Sequence, residues 1–80
     1  MDEKAIFVKE YLQPLLTAAI RNVAECSYRR AESGREIVSV RMASVSDYNA
    51  TGYNVTYDID VTGDSFIAIA ADVIRVVQDE

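Results

Sequence analysis

The segment "YNVTYDIDVT", Tyr53 to Thr62, alternates apolar and polar side chains at every position. In a β-strand, this period of two places tyrosine, valine and isoleucine on one face and asparagine, threonine and aspartate on the other. We therefore predict a half-buried strand with an acidic outer face, which includes Asp58 and Asp60. That face meets either water or a partner.

A second segment of period two precedes this strand. It runs from Arg35 to Val45, with Val38, Val40 and Met42 on one face. The intervening "SDYNATG", with Tyr48 in its middle, is rich in turn-forming residues. The two strands are therefore predicted to form an antiparallel hairpin.

The apolar faces restrict the register of this hairpin. Val40 must lie on the apolar side of the second strand, because a slip of one residue would turn the whole apolar set outward. The registers that satisfy this condition place Arg41 opposite Thr56, Asp58 or Asp60, and we choose Asp58. A cross-strand ion pair would then neutralise part of the acidic face.

Residues 2 to about 31 are predicted to be helical. Apolar residues recur there at helical spacing and form one stripe: Val8, Leu12, Leu15, Ala19, Val23 and Cys26. A second stripe of Leu16, Ile20 and Ala24 widens this apolar face. Because Pro14 has no amide hydrogen, we expect a kink there, or a helix that ends near Leu12 and a second that starts with Pro14. Gly34 is expected to close the helix, and Cys26 to be a core residue.

The C-terminal segment "FIAIAADVIRVVQDE" is also predicted to be helical. Asp64 is the expected N-cap, and the apolar residues that follow have helical spacing: Phe66, Ala70, Val73 and Val77. The alternation in "SFIAIA" leaves open a third strand over residues 65–70.

These elements predict a single α+β domain over residues 1–80. The order is α-β-β-α, an antiparallel hairpin with two helices packed on one face; the alternative is α-β-β-β-α, with the extra strand at 65–70. One hairpin cannot cover two apolar helices, and Ile67 and Ile74 lie on a flank that it would not reach. We therefore expect a homodimer, formed by edge-to-edge pairing of hairpins or by pairing of helices.

Composition excludes several classes of protein. The 80 residues include no histidine and one cysteine, so zinc sites and intrachain disulfides are not expected. The formal net charge is −5, which disfavours binding to duplex nucleic acid. No apolar segment is long enough to span a membrane, and the N-terminus does not resemble a secretory signal. We predict a cytoplasmic protein without a cofactor or a metal.

The residues that could carry a function are charged. Four arginines lie within thirteen positions and could bind an anion, with Tyr28 or Tyr48 stacking on it: Arg29, Arg30, Arg35 and Arg41. Asp58 and Asp60 resemble the paired carboxylates of glycoside hydrolases, but an open strand face has no walls to raise a pKa. We therefore predict that the protein is not an enzyme.

Two functions follow from this inventory. The first is a small acidic protein–protein interaction module that serves as an accessory factor, an inhibitor or a structural subunit and is homodimeric. The alternative is a dimer that binds a small anion or nucleotide between arginine clusters. In either dimer, the arginine-rich end of one subunit could meet the acidic strand face of the other.

Overall fold

The computed structural model of the protein describes residues 2–44 and 53–78. An N-terminal helix is followed by three strands and a C-terminal helix. The strands form one antiparallel sheet in chain order: Val23–Arg30 (β1), Glu36–Ser44 (β2) and Tyr53–Asp60 (β3). The α+β class is confirmed. The number of strands is that of the α-β-β-β-α alternative, but the additional strand is β1 and not residues 65–70.

The N-terminal helix ends earlier than predicted. Its three consecutive segments are an α-helix at Glu3–Phe7, a π-helix at Val8–Leu12 and an α-helix at Gln13–Ala19. The prediction of helix up to about residue 31 is therefore wrong from β1 onward. Asn22 adopts a left-handed conformation with φ of 75° just before this strand.

The spacing of Val23 and Cys26 explains why β1 resembled a helix. A β-bulge between Val23 and Glu25 inserts one extra residue into the strand. Val23 and Cys26 therefore point to the same face although they are three positions apart, and both are buried. The turn after β1 contains Gly34 with φ of 92°. Gly34 thus serves a β-turn and does not close a helix as predicted.

The alternative of a new helical segment at Pro14 is confirmed in part, because an α-helical segment starts there but follows the preceding segment without a break. The amide of Gln13 donates to the carbonyl of Val8, five residues back, which is the hydrogen bond of a π-helix. The last α-helical segment then starts with Pro14 in its first turn, where a missing amide hydrogen costs little. The π-helical turn at Val8–Leu12, which we call the wide turn, thus lies immediately before the segment that contains Pro14.

The wide turn also changes which side chains face the sheet. The buried stripe is Val8, Leu12 and Leu16, at constant intervals of four. Leu15, which was predicted to follow Leu12 in the stripe, is 53% exposed, and Ala19 is exposed as well. A π-helical turn contains more residues than an α-helical turn, so the step of three becomes a step of four.

The hairpin of β2 and β3 has the predicted faces but not the chosen register. Val40 lies opposite Tyr57, and Arg41 lies opposite Thr56, so the choice of Asp58 was wrong. Asp58 lies opposite Ser39. Registers that differ by two residues bury the same face, so alternation alone could not distinguish them. The predicted turn, with Tyr48, lies outside the described residues.

The C-terminal helix is confirmed at Phe66–Gln78. Its N-cap is Ser65, whose hydroxyl accepts a hydrogen bond from the amide of Ala68 at 3.2 Å; the prediction of Asp64 was wrong. Three side chains at intervals of four are buried: Ile69, Val73 and Val77. Both helices therefore place one such stripe on the same face of the sheet, and the core fills the space between them.

Candidate functional site

The open face of the sheet, opposite the helices, carries most of the predicted site residues. The Arg29 guanidinium donates to the Ser39 hydroxyl at 2.7 Å, and this hydroxyl hydrogen-bonds to the Asp58 carboxylate at 2.6 Å. Arg29 and Asp58 also form an ion pair at 3.8 Å. One row of side chains thus links all three strands.

Two further ion pairs lie on this face. Arg35 Nε donates to the Asp60 carboxylate at 3.1 Å, and Arg41 lies 3.7 Å from Glu25. Hydrogen bonds from Thr62, followed by the Arg35 guanidinium, lower the pKa of Asp60 to about 2. Each of the three arginines of this face therefore has a carboxylate partner in the same chain.

Arg30 lies at one end of the molecule and belongs to a different cluster. Its guanidinium donates to the Asp2 carboxylate and to the Tyr28 hydroxyl, at 3.0 and 3.1 Å. Its Nη2 atom also lies 3.6 Å from Oε2 of Glu36. The four predicted arginines consequently do not converge: three are spread over the open face, and the fourth lies in this end cluster.

Glu36 is the centre of the end cluster and is only 4% exposed. Its carboxylate accepts hydrogen bonds from Lys4 Nζ at 2.8 Å, the Tyr28 hydroxyl at 2.5 Å and the Gly63 amide at 2.9 Å. The bond from Lys4 is the main reason that the pKa of Glu36 is lowered to about 2. Burial, followed by the bond to Glu36, raises the pKa of Tyr28 to about 12.

Glu36 was not among the predicted site residues, although the sequence carries a signal for it. Glu36 lies two positions before Val38 and four before Val40, so it shares the phase of the buried face of β2. A charged residue in that phase must be paired. The cluster joins the N-terminal helix, β1, β2 and the turn before the C-terminal helix, so its role is structural.

The pKa values of Cys26 and Asp64 are also shifted. Burial raises the pKa of the Cys26 thiol to about 11, and Cys26 packs in the core as predicted, although on β1. A hydrogen bond with Asp72, then burial, raises the pKa of Asp64. Within residues 2–44 and 53–78, no group of three or more acidic or cysteine side chains is arranged to hold a metal ion.

An apolar surface lies on the outer side of the two helices. The Phe7 ring stacks on Phe66 with a centroid distance of 4.8 Å, and on Tyr11 at 6.2 Å. Beside these rings is an open groove of about 440 Å³, which Ile6 and Glu3 also line. The rings therefore bridge the N-terminal and C-terminal helices.

Four large side chains of this region are exposed to solvent. The exposed fractions are 68% for Tyr11, 53% for Leu15, 40% for Phe66 and 83% for Ile67. We define the helical apolar surface by these four side chains together with Ile6 and Phe7. The prediction that the sheet does not cover Ile67 is confirmed. Ile74, in contrast, is half-buried against the core.

No helix in the described part of the chain is long and apolar enough to cross a membrane. Comparison of the chain with protein-family models, curated proteins and solved structures gives no match.

Proposed function

We propose that this protein is a small, acidic, non-enzymatic protein–protein interaction module that binds through the helical apolar surface. The observation that carries the proposal is the exposure of Tyr11, Leu15, Phe66 and Ile67. The Phe7 ring stacks on both Tyr11 and Phe66, while Leu15 follows Tyr11 by four positions and Ile67 directly follows Phe66. Isolated apolar side chains are common on protein surfaces, but contiguous apolar patches are usually sites of interaction. Aromatic residues are also enriched in interfaces.

The geometry of the aromatic rings favours binding. Phe7 and Phe66 are nearly parallel, with 5° between the ring planes, and the Tyr11 ring stacks on Phe7. Side chains that are already ordered lose little conformational entropy when a partner binds. The helical apolar surface is therefore preorganised, whereas long charged side chains would have to be immobilised.

The non-enzymatic character is supported by the state of the candidate groups. Asp58 and Asp60 are each engaged by an arginine on an open surface, and the sequence contains no histidine. The anion-binding alternative required arginines that converge on an open concave surface. Arg29, Arg35 and Arg41 instead have carboxylate partners, as does Arg30, so no observation on the described residues favours that alternative.

Photo-crosslinking tests the proposed function. We would replace Tyr11 with photoreactive benzoylphenylalanine and irradiate the protein in lysate of its source, with the same replacement at Thr56 as the control. Thr56 is exposed on the open sheet face. We expect adducts of one defined protein mass from position 11 only. No adduct from position 11, or the same adducts from both positions, would overturn the proposal.

A further inference from the structure

We infer that the partner of the helical apolar surface is a second copy of the chain, related by a two-fold axis. This inference rests on the proposed function and specifies its partner. In such a dimer the same surface is used by both subunits. Tyr11 and Ile67, the two most exposed side chains of this surface, would be buried.

The size of the surface suits a dimer of this kind. A large side chain has an area of roughly 150–250 Å², so the exposed fractions of Tyr11, Leu15, Phe66 and Ile67 together correspond to about 500 Å². A standard interface buries about 800 Å² on each partner, and about 65% of a homodimer interface is apolar. The apolar area required is therefore also about 500 Å².

The charges at the rim are compatible with self-association. Glu3 lines the groove beside the aromatic rings, and Lys9 and Glu10 line a neighbouring cleft with Ile6. All three charged side chains are exposed. Because both signs occur on one rim, a two-fold axis can bring Lys9 of one subunit towards a glutamate of the other. A rim of one sign would repel its own copy.

The other surfaces are less suitable for a second copy. The charges of the open sheet face are paired within the chain. At the β1 edge, the amide of Cys26 donates to the Gln13 side chain at 3.1 Å, so the N-terminal helix already occupies part of that edge. β3 carries Asp58 and Asp60, and charged residues on an edge strand oppose pairing between sheets. The helices are thus favoured over edge-to-edge pairing.

Sedimentation equilibrium of the purified chain tests this inference. The wild type, at concentrations from about 1 to 500 μM, is compared with Ile67→Glu and Tyr11→Glu, and with Thr56→Glu as a control that adds a negative charge on the sheet face. We expect twice the 8.9 kDa mass for the wild type and Thr56→Glu. The dissociation constant should rise at least about 10-fold in the two helix variants.

Circular dichroism provides the folding control, and the helix variants should keep the wild-type spectrum because both side chains are exposed. A wild type that remains monomeric, or an Ile67→Glu variant that dimerises like the wild type, would overturn the inference. If the purified chain is monomeric while position 11 still crosslinks to a larger protein, the second-copy inference fails and the proposed function stands. A monomer without adducts would overturn both.

Discussion

Glu36 is a buried charge with an almost complete set of partners. An ammonium group, a phenol and a backbone amide donate to its carboxylate. Burial of a carboxylate without such donors is strongly unfavourable. Since these donors come from different parts of the fold, Glu36 couples the ends of both helices to the sheet.

Replacement of Glu36 with glutamine should therefore destabilise the protein. The amide has no charge to pair with Lys4, and its NH₂ group opposes donors. We expect the midpoint of thermal unfolding to fall by more than about 8 °C. Glu32→Gln is the matched control, because Glu32 is exposed in the turn after β1, and it should change the midpoint by no more than about 2 °C. Equal midpoints would show that the Glu36 cluster contributes nothing.

The lowered pKa values predict acid sensitivity. The pKa of Glu36 is about 2 in the folded protein against an ordinary 4.5, and that of Asp60 is about 2 against 3.8. A carboxyl with a lower pKa in the folded state stabilises the fold above its unfolded pKa, and this contribution disappears as pH falls through the folded pKa. The stability that these two carboxyls contribute should therefore be complete above a pH of 4.5, and urea midpoints should decrease as pH falls from there towards about 2. Glu36→Gln should show a shallower decrease.

The pKa of Asp64 is shifted in the opposite direction to the pKa values of Glu36 and Asp60. Its pKa is raised above the ordinary 3.8, and its Oδ2 atom is buried without a hydrogen-bond partner. The proton therefore binds more tightly in the folded state, and the protonated Asp64 carboxyl contributes to stability. This contribution is complete below a pH of 3.8 and is lost as pH rises through the folded pKa. We expect Asp64→Asn to raise the thermal midpoint by a few degrees at neutral pH. At a pH of about 3 the gain should vanish; a midpoint lowered at neutral pH would contradict this explanation.

At the scale of elements, the sequence predicts an element well when one periodicity dominates it. β2, β3 and the C-terminal helix follow periods of two and 3.6 and were predicted correctly. β1 was mistaken for helix because its bulge gives two buried residues a spacing of three. The π-helical turn likewise shifts the buried stripe from Leu15 to Leu16. In both cases one extra residue is inserted into a regular strand or helix. The spacing of apolar residues in the sequence does not reveal such an insertion.

The position of the buried stripe on the N-terminal helix can be tested by replacing two adjacent leucines. Leu16 is 1% exposed and Leu15 is 53% exposed. Leu16→Ala should lower the free energy of unfolding by about 2–5 kcal/mol because it leaves a cavity. Leu15→Ala, measured in dilute solution, should change this free energy by no more than about 0.5 kcal/mol. Urea denaturation gives both values. A larger cost at Leu15 would favour a continuous α-helix with the stripe that the sequence predicted.

The candidate site was less predictable than the fold. The charged residues could be identified from the sequence, but the residues with which they form ion pairs depend on the register of the sheet. Arg41 pairs with Glu25 of β1, a strand that was predicted to be helical. Ile67 was identified because no predicted element could cover it. Tyr11 was missed because its exposure depends on the path of the helix around the wide turn.

At the scale of the whole molecule, the net charge does not come from the open sheet face. Three arginines and three carboxylates balance there: Arg29, Arg35, Arg41, Glu25, Asp58 and Asp60. The pairing that was predicted between subunits occurs within one chain. The three ion pairs therefore contribute no net formal charge to this face of the molecule.

Loss of the acidic charges on this face should leave the assembly unchanged. We expect an Asp58→Asn, Asp60→Asn double variant to have the same subunit number as the wild type in native mass spectrometry, since the helices provide the proposed interface. Ile67→Glu is the contrasting variant and should yield monomers. Dissociation of the double variant into monomers would place the interface on the sheet.

The strand order has a consequence for the kinetics of folding. Each strand pairs with its neighbour in the chain, and only five residues, closed by the bond from the Gly34 amide to Ala31, separate β1 from β2. Hairpins of this kind form in about 1–10 μs, and folds dominated by such local contacts generally reach the native state quickly. The β1–β2 hairpin is thus the expected nucleus, on which β3 and the helices assemble.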